Sequence, residues 1–407
     1  MSSDPKPNVS QNSLSDSLDK EIDRLLALGL ENFSVRELLG MLISVAGQSE
    51  RRHYLGEAAG DKGNGTYGRS VNVGSIPVDI RVPRSRTGDF RPSSIPPPYA
   101  RGYSDEMQAL LLGVLSSARS VNAAKTALQK MGLSACSEDL DAVASGFVEE
   151  LELVNSRPID PDLLAIFLDG KYVEVKQDER LRPACIYVVI GLHRDGKKKV
   201  LGCFTKHGRE NLEVWKTVLR SLVERGLRRV LIIVHDDFSG LLGLTRGMFP
   251  NSDVQLCTVH MLRNAKTHLS KDDSAEFTKR FRSIKNSWDA EVGATHFEEL
   301  CQRFEKSAPT FVKELREKRN HYLFFLNYPD GVRRTLSTTN AVEAVNNQLE
   351  ILRRNSGGYF HSEETAKLKL GIAVTSLESG RWRRVAANVT AALDQFNAMF
   401  EARFEAE

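Results

Sequence analysis

The chain has 407 residues, 41% of them hydrophobic and 27% charged, with a formal net charge of +3. That balance excludes a disordered or fibrous chain, gives room for two or three domains with full cores, and leaves local basic clusters rather than total charge to indicate partners. Five scattered cysteines, Cys136, Cys185, Cys203, Cys257 and Cys301, exclude a disulfide framework and favour a reducing compartment. With no signal peptide and no apolar run long enough to cross a bilayer, the expectation is a soluble intracellular protein.

Residues 1–17 are mostly Ser, Asn, Asp and Pro, which predicts a disordered tail. Leu18, Ile22, Leu25 and Leu26 have helical spacing, and Ser34 with Glu37 forms a capping box for a second helix through Leu38, Leu39, Leu42 and Ile43. Gly56 to Ser70 reads as a loop. Val71, Val73, Ile76, Val78, Ile80 and Val82 alternate around Gly74-Ser75 as a β-hairpin followed by Arg81, Arg84, Arg86 and Arg91. Such a ribbon suits DNA phosphates, and equally a solvated edge that blocks further strand pairing. Three short helical patterns, capped near Ser104, Ser120 and Ser137, fit either a helix-turn-helix DNA-binding unit or ordinary three-helix packing.

The centre of the chain is richer. Leu163 to Leu168 is an apolar run ending in Asp169-Gly170, and β-type runs follow at Ala184 to Leu192 and Lys199 to Phe204, joined by the turn Arg194-Asp195-Gly196-Lys197. A helix from Glu210 to Arg225 carries Leu212, Trp215, Val218, Leu219 and Leu222 on one face, and Gly226 stands at its expected C-terminal cap. Val230 to Val234 has no polar alternation, as a strand buried on both faces of a parallel sheet requires, and it runs into His235-Asp236-Asp237. If this fourth strand lies parallel beside the first, Asp169 and Asp236 meet at the sheet, where the usual remedy for their repulsion is a divalent cation. The layout resembles a ribonuclease H-like nucleotidyl transferase, whose third acid comes from a later helix.

After a short strand from Asn251 to Leu256, the chain from Met261 to about Leu336 is helical and amphipathic, an all-helical insertion. Ser337-Thr338-Thr339-Asn340 then opens a helix whose stripe is Val342, Val345, Leu349 and Leu352, with Glu343, Asn346, Asn347 and Glu350 on other faces. Two further helices close the chain, the last carrying Val385, Val389, Leu393, Phe396, Phe400 and Phe404 as a core stripe or a dimer face.

Phosphodiester hydrolysis and strand transfer need two hard cations held by carboxylates, here Asp169, Asp236 and Glu343. Each acid has a plainer reading: a turn at Asp169-Gly170, a cap at Asp236 or Asp237, and a capping-box partner of Asn340 at Glu343. Their combination, in this order, is harder to explain away. Cys257-x-x-His260 has the spacing of half a zinc site, but a structural zinc needs four ligands, and Cys301 with His268 or His296 stands at irregular spacing.

The sequence also resembles the Mutator-type transposases of insertion sequences over nearly its whole length. The likeness rests on Phe167-Leu168-Asp169-Gly170 with Tyr172-Val173, Asp236 with Gly240-Leu241, Cys257-x-x-His260 with Arg263-Asn264, and Thr338-Thr339-Asn340-x-x-Glu343 with Asn346. Val78-Asp79-Ile80-Arg81-Val82-Pro83-Arg84, Gly88-x-Phe90, Arg353-Arg354, Gly358 and Trp382 add to it. The resemblance implies an Asp-Asp-Glu DNA transposase with catalytic, metal-holding Asp169, Asp236 and Glu343. It selects Asp236 over Asp237 by the distance to Gly240, and leaves Glu350, two turns beyond Glu343, as runner-up third acid. It departs from the family at His235 and in a thinner arginine-rich segment after the catalytic helix.

The implied cofactors are two Mg²⁺ ions, with Mn²⁺ as substitute. Cys257, His260, Asn340 and Asn346 would support the site, and Arg81, Arg84, Arg86, Arg353 and Arg354 would contact DNA. The partners would be terminal inverted repeats, target DNA and at least a second copy of the chain, in the nucleoid of a prokaryotic cytoplasm with no membrane. The expected fold is an α/β, ribonuclease H-like mixed-sheet core with an all-helical insertion, preceded by a mostly helical DNA-binding region with a β-hairpin. The expected segments are 1–17 tail, 18–100 helices and hairpin, 101–155 helix-turn-helix-like unit, 156–260 first part of the core, 261–336 insertion, 337–380 catalytic and following helices, and 381–407 closing helix. The rival functions are a domesticated, non-catalytic DNA-binding protein and a ribonuclease H-like nuclease.

Overall fold

The computed structural model describes residues 35–57, 60–73, 76–95, 105–130, 135–287, 289–337 and 340–405. The expected tail, the helix at Leu18–Leu26, the turn Gly74–Ser75 and the capping residues Thr338 and Thr339 lie outside the described residues. The chain divides into two units, residues 1–114 with 125–140, and residues 115–124 with 141–407.

In the first unit, helix α1 (Val35–Glu57) covers an antiparallel hairpin of β1 (Gly63–Val73) and β2 (Ile76–Ser85). Val71, Val78, Ile80, Val82 and Ile95 form its core, with Leu39 and Ile43 of the helix packed against them. The expected loop from Gly56 to Ser70 is therefore wrong over Gly63–Ser70, which is strand. Gly, Asn and Ser score poorly as strand formers, but pairing supplies what propensity lacks. Tyr67 sits opposite Val82, and the Arg84 guanidinium lies 4.7 Å above its ring. Helices α2 (Asp105–Ser117), α3 (Val121–Lys130) and α4 (Ala135–Ser156) follow. The third is long rather than short and begins before Ser137.

The second unit is built on a five-stranded mixed sheet in the order β5-β4-β3-β6-β7. Strands β3 (Asp162–Gln177), β4 (Arg180–His193) and β5 (Lys198–His207) form the meander, and β6 (Arg229–His235) and β7 (Asp253–Leu256) add in parallel beside β3. The β4–β5 turn closes at Gly196, whose φ of +81° lies in the left-handed region. One face of the sheet is covered by α5 (Leu212–Glu224), which buries Trp215, Val218, Leu219 and Leu222 against Ile166, Leu168, Tyr187, Val189 and Ile233. Trp215 meets Tyr187 edge-on at 5.0 Å. Short helix α6 (Leu241–Met248) completes the crossover to β7.

The insertion runs through α7 (Thr258–His268), α8 (Lys271–Lys285), α9 (Ala290–Phe304), α10 (Pro309–Glu317), α11 (Arg319–Leu323) and α12 (Asp330–Leu336), so it begins three residues before the expected Met261. Phe277, Phe281, Phe297, Phe304 and Phe311 are buried inside it. Helices α13 (Asn340–Asn355) and α14 (Glu363–Ser379) then return to the sheet. The chain closes with the single turn α15 (Ala387–Thr390) and α16 (Leu393–Phe404). Phe396 and Phe400 are fully buried within the chain, against Tyr328 and under Arg194 respectively, so the terminal stripe closes the core instead of waiting for a second copy. Among the described residues, no helix is long and apolar enough to cross a membrane.

Candidate active site

Parallel pairing of β3 with β6 runs to Phe167 opposite Val234, and Asp169 and Asp236 each stand two residues further on. Strand β6 ends there while β3 continues to Gln177, so Asp236 sits just past the carboxyl end of β6, beside Asp169 in the middle of β3. Asp169 is only 5% exposed. Burial pushes its carboxyl up to about 6, with His260 opposing the shift and Asp236 reinforcing it. Burial raises Asp236 as well, and its Oδ1 is buried without a hydrogen-bond partner.

Helix α13 brings a further carboxylate. Glu343, in its first turn, lines with Asp169, His260, Arg263 and Asn346 a cleft of about 400 Å³. Asn346, one turn on, donates from Nδ2 to Asp169 Oδ2 at 2.6 Å. Asn340 opens the helix, but its side chain lies outside the described residues. Glu343 is close enough to Asp169 to add to the upward push on its carboxyl. It accepts from Arg263 Nη2 at 3.1 Å, and among the described residues no three His, Cys, Asp or Glu side chains form a ready-made ion cage.

Helix α7 supplies the positive charge. His260 Nε2 stands 3.9 Å from Asp169 Oδ1. The adjacent Cys257 sulfur first, and then the two aspartates, outweigh burial and raise the imidazole to about 9. Arg263 Nη1 lies 3.2 Å from His260 Nε2, a bond that only a neutral imidazole accepts. While the ring is protonated, the guanidinium therefore rests on Glu343 alone. Cys257 and His260 thus stand beside the acids. Among the described residues, Cys185, Cys203, Cys257 and Cys301 are buried and form no disulfide.

The neighbouring acids separate by direction. Asp237 accepts from Lys318 Nζ at 2.6 Å and from the Tyr322 hydroxyl at 3.2 Å, so it ties β6 to the insertion, while Asp236 lies buried close enough to Asp169 and His260 to shift their titration. Glu350 is held by Arg353 at 2.7 Å, Arg354 at 2.9 Å and Lys171 at 3.5 Å, and these cations, Arg353 first, lower it to about 2. Arg353 also donates to the Gly358 carbonyl. In the first unit, the side chains of Arg81, Arg84 and Arg86 are exposed on and just beyond β2.

Sequence reasoning missed two groups. Arg263 was visible three residues after His260, but its acceptor is 80 positions away and no local pattern announces it. Glu210 precedes α5, and its carboxylate packs against the backbone of Gly170, where a Cβ would stand 2.6 Å from it. It accepts from Trp215 Nε1 at 2.7 Å, and burial raises it to about 7. Its five-residue distance from Trp215 was the available signal.

The chain matches the family described as "Transposase, Mutator family" over residues 10–384. It is 28% identical over 343 residues to the transposase for insertion sequence element ISRM3 of Rhizobium meliloti (strain 1021), covering 84% of each chain. It is 24% identical over 321 residues to the transposase for insertion sequence element IS1201 of Lactobacillus helveticus, covering 78% of this chain and 85% of that one. A solved Drosophila P element transposase strand transfer complex aligns over 75% of this chain and 82% of that chain at 13% identity, with a TM-score of 0.29, too loose a likeness to carry an argument. With a family match spanning nearly its whole length, the chain belongs to the Mutator family of insertion-sequence transposases.

Proposed function

We propose that the protein binds the terminal inverted repeats of an insertion sequence and catalyses metal-dependent cleavage at the element's 3′ ends, followed by strand transfer into target DNA. The observation that carries this reading is the meeting of Asp169 and Asp236 on the adjacent parallel strands β3 and β6, with Glu343 lining the same cleft as Asp169. On this reading the core is ribonuclease H-like, with residues 258–336 inserted between the second and third acids.

The donor set suits Mg²⁺ or Mn²⁺. Both prefer hard oxygen ligands, and the buried, unpartnered Oδ1 of Asp236 beside a second strongly desolvated carboxylate is a costly arrangement that a cation relieves. Asp169 and Asp236 would hold ions, and Glu343 would join them once it leaves Arg263. A bound pair of ions supplies activation of the attacking oxygen and stabilisation of the leaving one. The protein's own contribution is positional. Asn346 fixes the Asp169 carboxylate, His260 offsets the paired negative charge, and Asp237 with Lys318 holds the end of β6 in place. Because strand transfer joins two element ends, the working form carries at least two copies of the chain.

The test is cleavage and strand transfer on duplexes carrying the element's own terminal repeats, with Mg²⁺ or Mn²⁺. Asp169→Asn, Asp236→Asn and Glu343→Gln are each expected to lower the rate by at least about a thousandfold, roughly 4 kcal/mol of barrier, while still binding the DNA. Repeat binding by a wild type that cuts nothing would sink the enzymatic reading and favour a DNA-binding protein. Preference for an RNA–DNA hybrid would favour a nuclease.

A further inference from the structure

Outside the catalytic cleft, three clefts in the second unit share residues and so form one continuous groove. The first is lined by Lys266, Lys271, Lys279 and Arg282. Arg282 passes into the second, which adds Lys285, Arg333 and Arg334. Asp330 and Arg334 pass into the third, which adds Lys198 and Arg384 and is floored by the buried Trp382. Nine cationic side chains therefore line the groove against one carboxylate, and that carboxylate, Asp330, is already paired with Arg333 at 2.8 Å. Arg282, Arg334 and Arg384 are exposed and make no ion pair among the described residues. Lys285 is mostly enclosed, donates to the Thr258 hydroxyl at 3.2 Å, and has its pKa lowered by burial and then by the neighbouring Arg334 and Arg282. Like charges gathered this closely without internal anions fit an anionic ligand better than a solvated surface.

Position narrows the choice of ligand. Ala344, the neighbour of Glu343 on α13, lines the third cleft, so the groove runs along the helix that carries the third acid. At its middle, the carbonyl of Ser337, just before α13, accepts from the backbone N–H and hydroxyl of Thr258, the residue that also meets Lys285. We propose that this groove is a sequence-independent binding site for the phosphodiester backbone of duplex DNA, placed to hold the DNA that receives the transferred strand beside the catalytic acids. Of the two amide side chains in the lining, Asn286 and Asn388, the second donates to the Gly331 carbonyl, and cations that outnumber them this heavily favour phosphate contacts, which position a duplex and carry no sequence information, as suits a target more than a terminal repeat. The identity of the nucleic acid rests on the transposase reading. The binding itself does not.

The experiment measures binding of the full-length protein to two labelled duplexes of equal length, one unrelated to the element and one carrying its terminal repeat, across a salt series without divalent ions. Wild type is compared with the triple variant Arg282→Gln, Arg334→Gln, Arg384→Gln and with the corresponding triple Lys variant, and thermal unfolding checks that all are folded. On the unrelated duplex the Gln variant is expected to lose roughly 2–3 from the slope of log K against log salt, near 0.9 for each phosphate contact removed, and the Lys variant to keep most of it. A much smaller loss on the terminal-repeat duplex supports a target site. Equal losses on both keep the groove as a backbone site but assign it to DNA flanking the element. An unchanged slope on both duplexes overturns the proposal. Cleavage measured separately on the repeat duplex tells whether the catalytic reading stands, whatever the groove does.

Discussion

Arg263 occupies Glu343 with a guanidinium that is itself 60% exposed. An ion pair this open to water is worth at most about 1 kcal/mol, so it yields readily to a divalent cation. Arg263→Gln is accordingly expected to bind Mn²⁺ up to about fivefold more tightly in the absence of DNA, by calorimetric titration, because the competing charge is gone. Equal or weaker binding would show that Arg263 organises the site instead of screening it. Glu350 gives the complementary case. Its carboxyl is depressed in the folded chain from the ordinary value near 4.5 to about 2, so the stability it confers is fully present above about 4.5 and is lost as pH falls toward 2. Glu350→Gln should flatten that part of the acid-unfolding curve while leaving strand transfer measurable at neutral pH. Abolished chemistry with intact repeat binding would restore Glu350 as the third acid.

At the scale of elements, two tight contacts set the core helices on the sheet. The Glu210 carboxylate lies where a side chain at Gly170 would stand, and Gly170→Ala is expected to push it off the Trp215 indole at a cost of about 1 kcal/mol, read as a lower unfolding midpoint. On the opposite flank, Lys369 of α14 is buried and its Nζ donates to the carbonyls of Leu115, Ser116 and Ala118 at 2.5, 3.0 and 2.9 Å, closing the C-terminal end of α2. Lys369→Met keeps the stem and orphans those carbonyls, an expected loss of about 2 kcal/mol or more in a denaturant titration. A loss below about 0.5 kcal/mol would mean that water reaches them and the cap is redundant. The same elements mark how far the sequence could be read. The strands around Asp169 and the stripe of α5 were legible because burial imposes period 2, an unbroken apolar run, or period 3.6. Strand β1 was not, because Gly63 to Ser70 has the composition of a loop and is a strand only through its partner. Lys369 looked like any surface lysine, since its acceptors lie more than 250 positions upstream.

For the whole molecule, the two units carry cores of unequal size. Among the described residues, the cluster under the hairpin holds five buried side chains, while the cluster beneath α5 holds seventeen. Calorimetry is expected to resolve two transitions, the earlier one removing the Tyr67 environment while the Trp215 signal persists. A single transition seen by both probes would contradict this. The roles of Asp236 and Asp237 could not be separated from sequence composition alone, since both follow the same apolar strand. Only the spacing to Gly240 pointed to one of them, and the physical difference is that Asp237 has Lys318 and Tyr322 to face. That fork has a mechanical consequence. A single peptide bond separates Asp237, which grips Lys318 and Tyr322, from Asp236 beside Asp169, and β6, buried along its length, is too stiff to absorb a pull at its end. Any tug on the helices that carry Lys318 and Tyr322 is delivered to Asp236 as a displacement, so those helices are geared to the carboxylate proposed to hold an ion instead of hanging beside it.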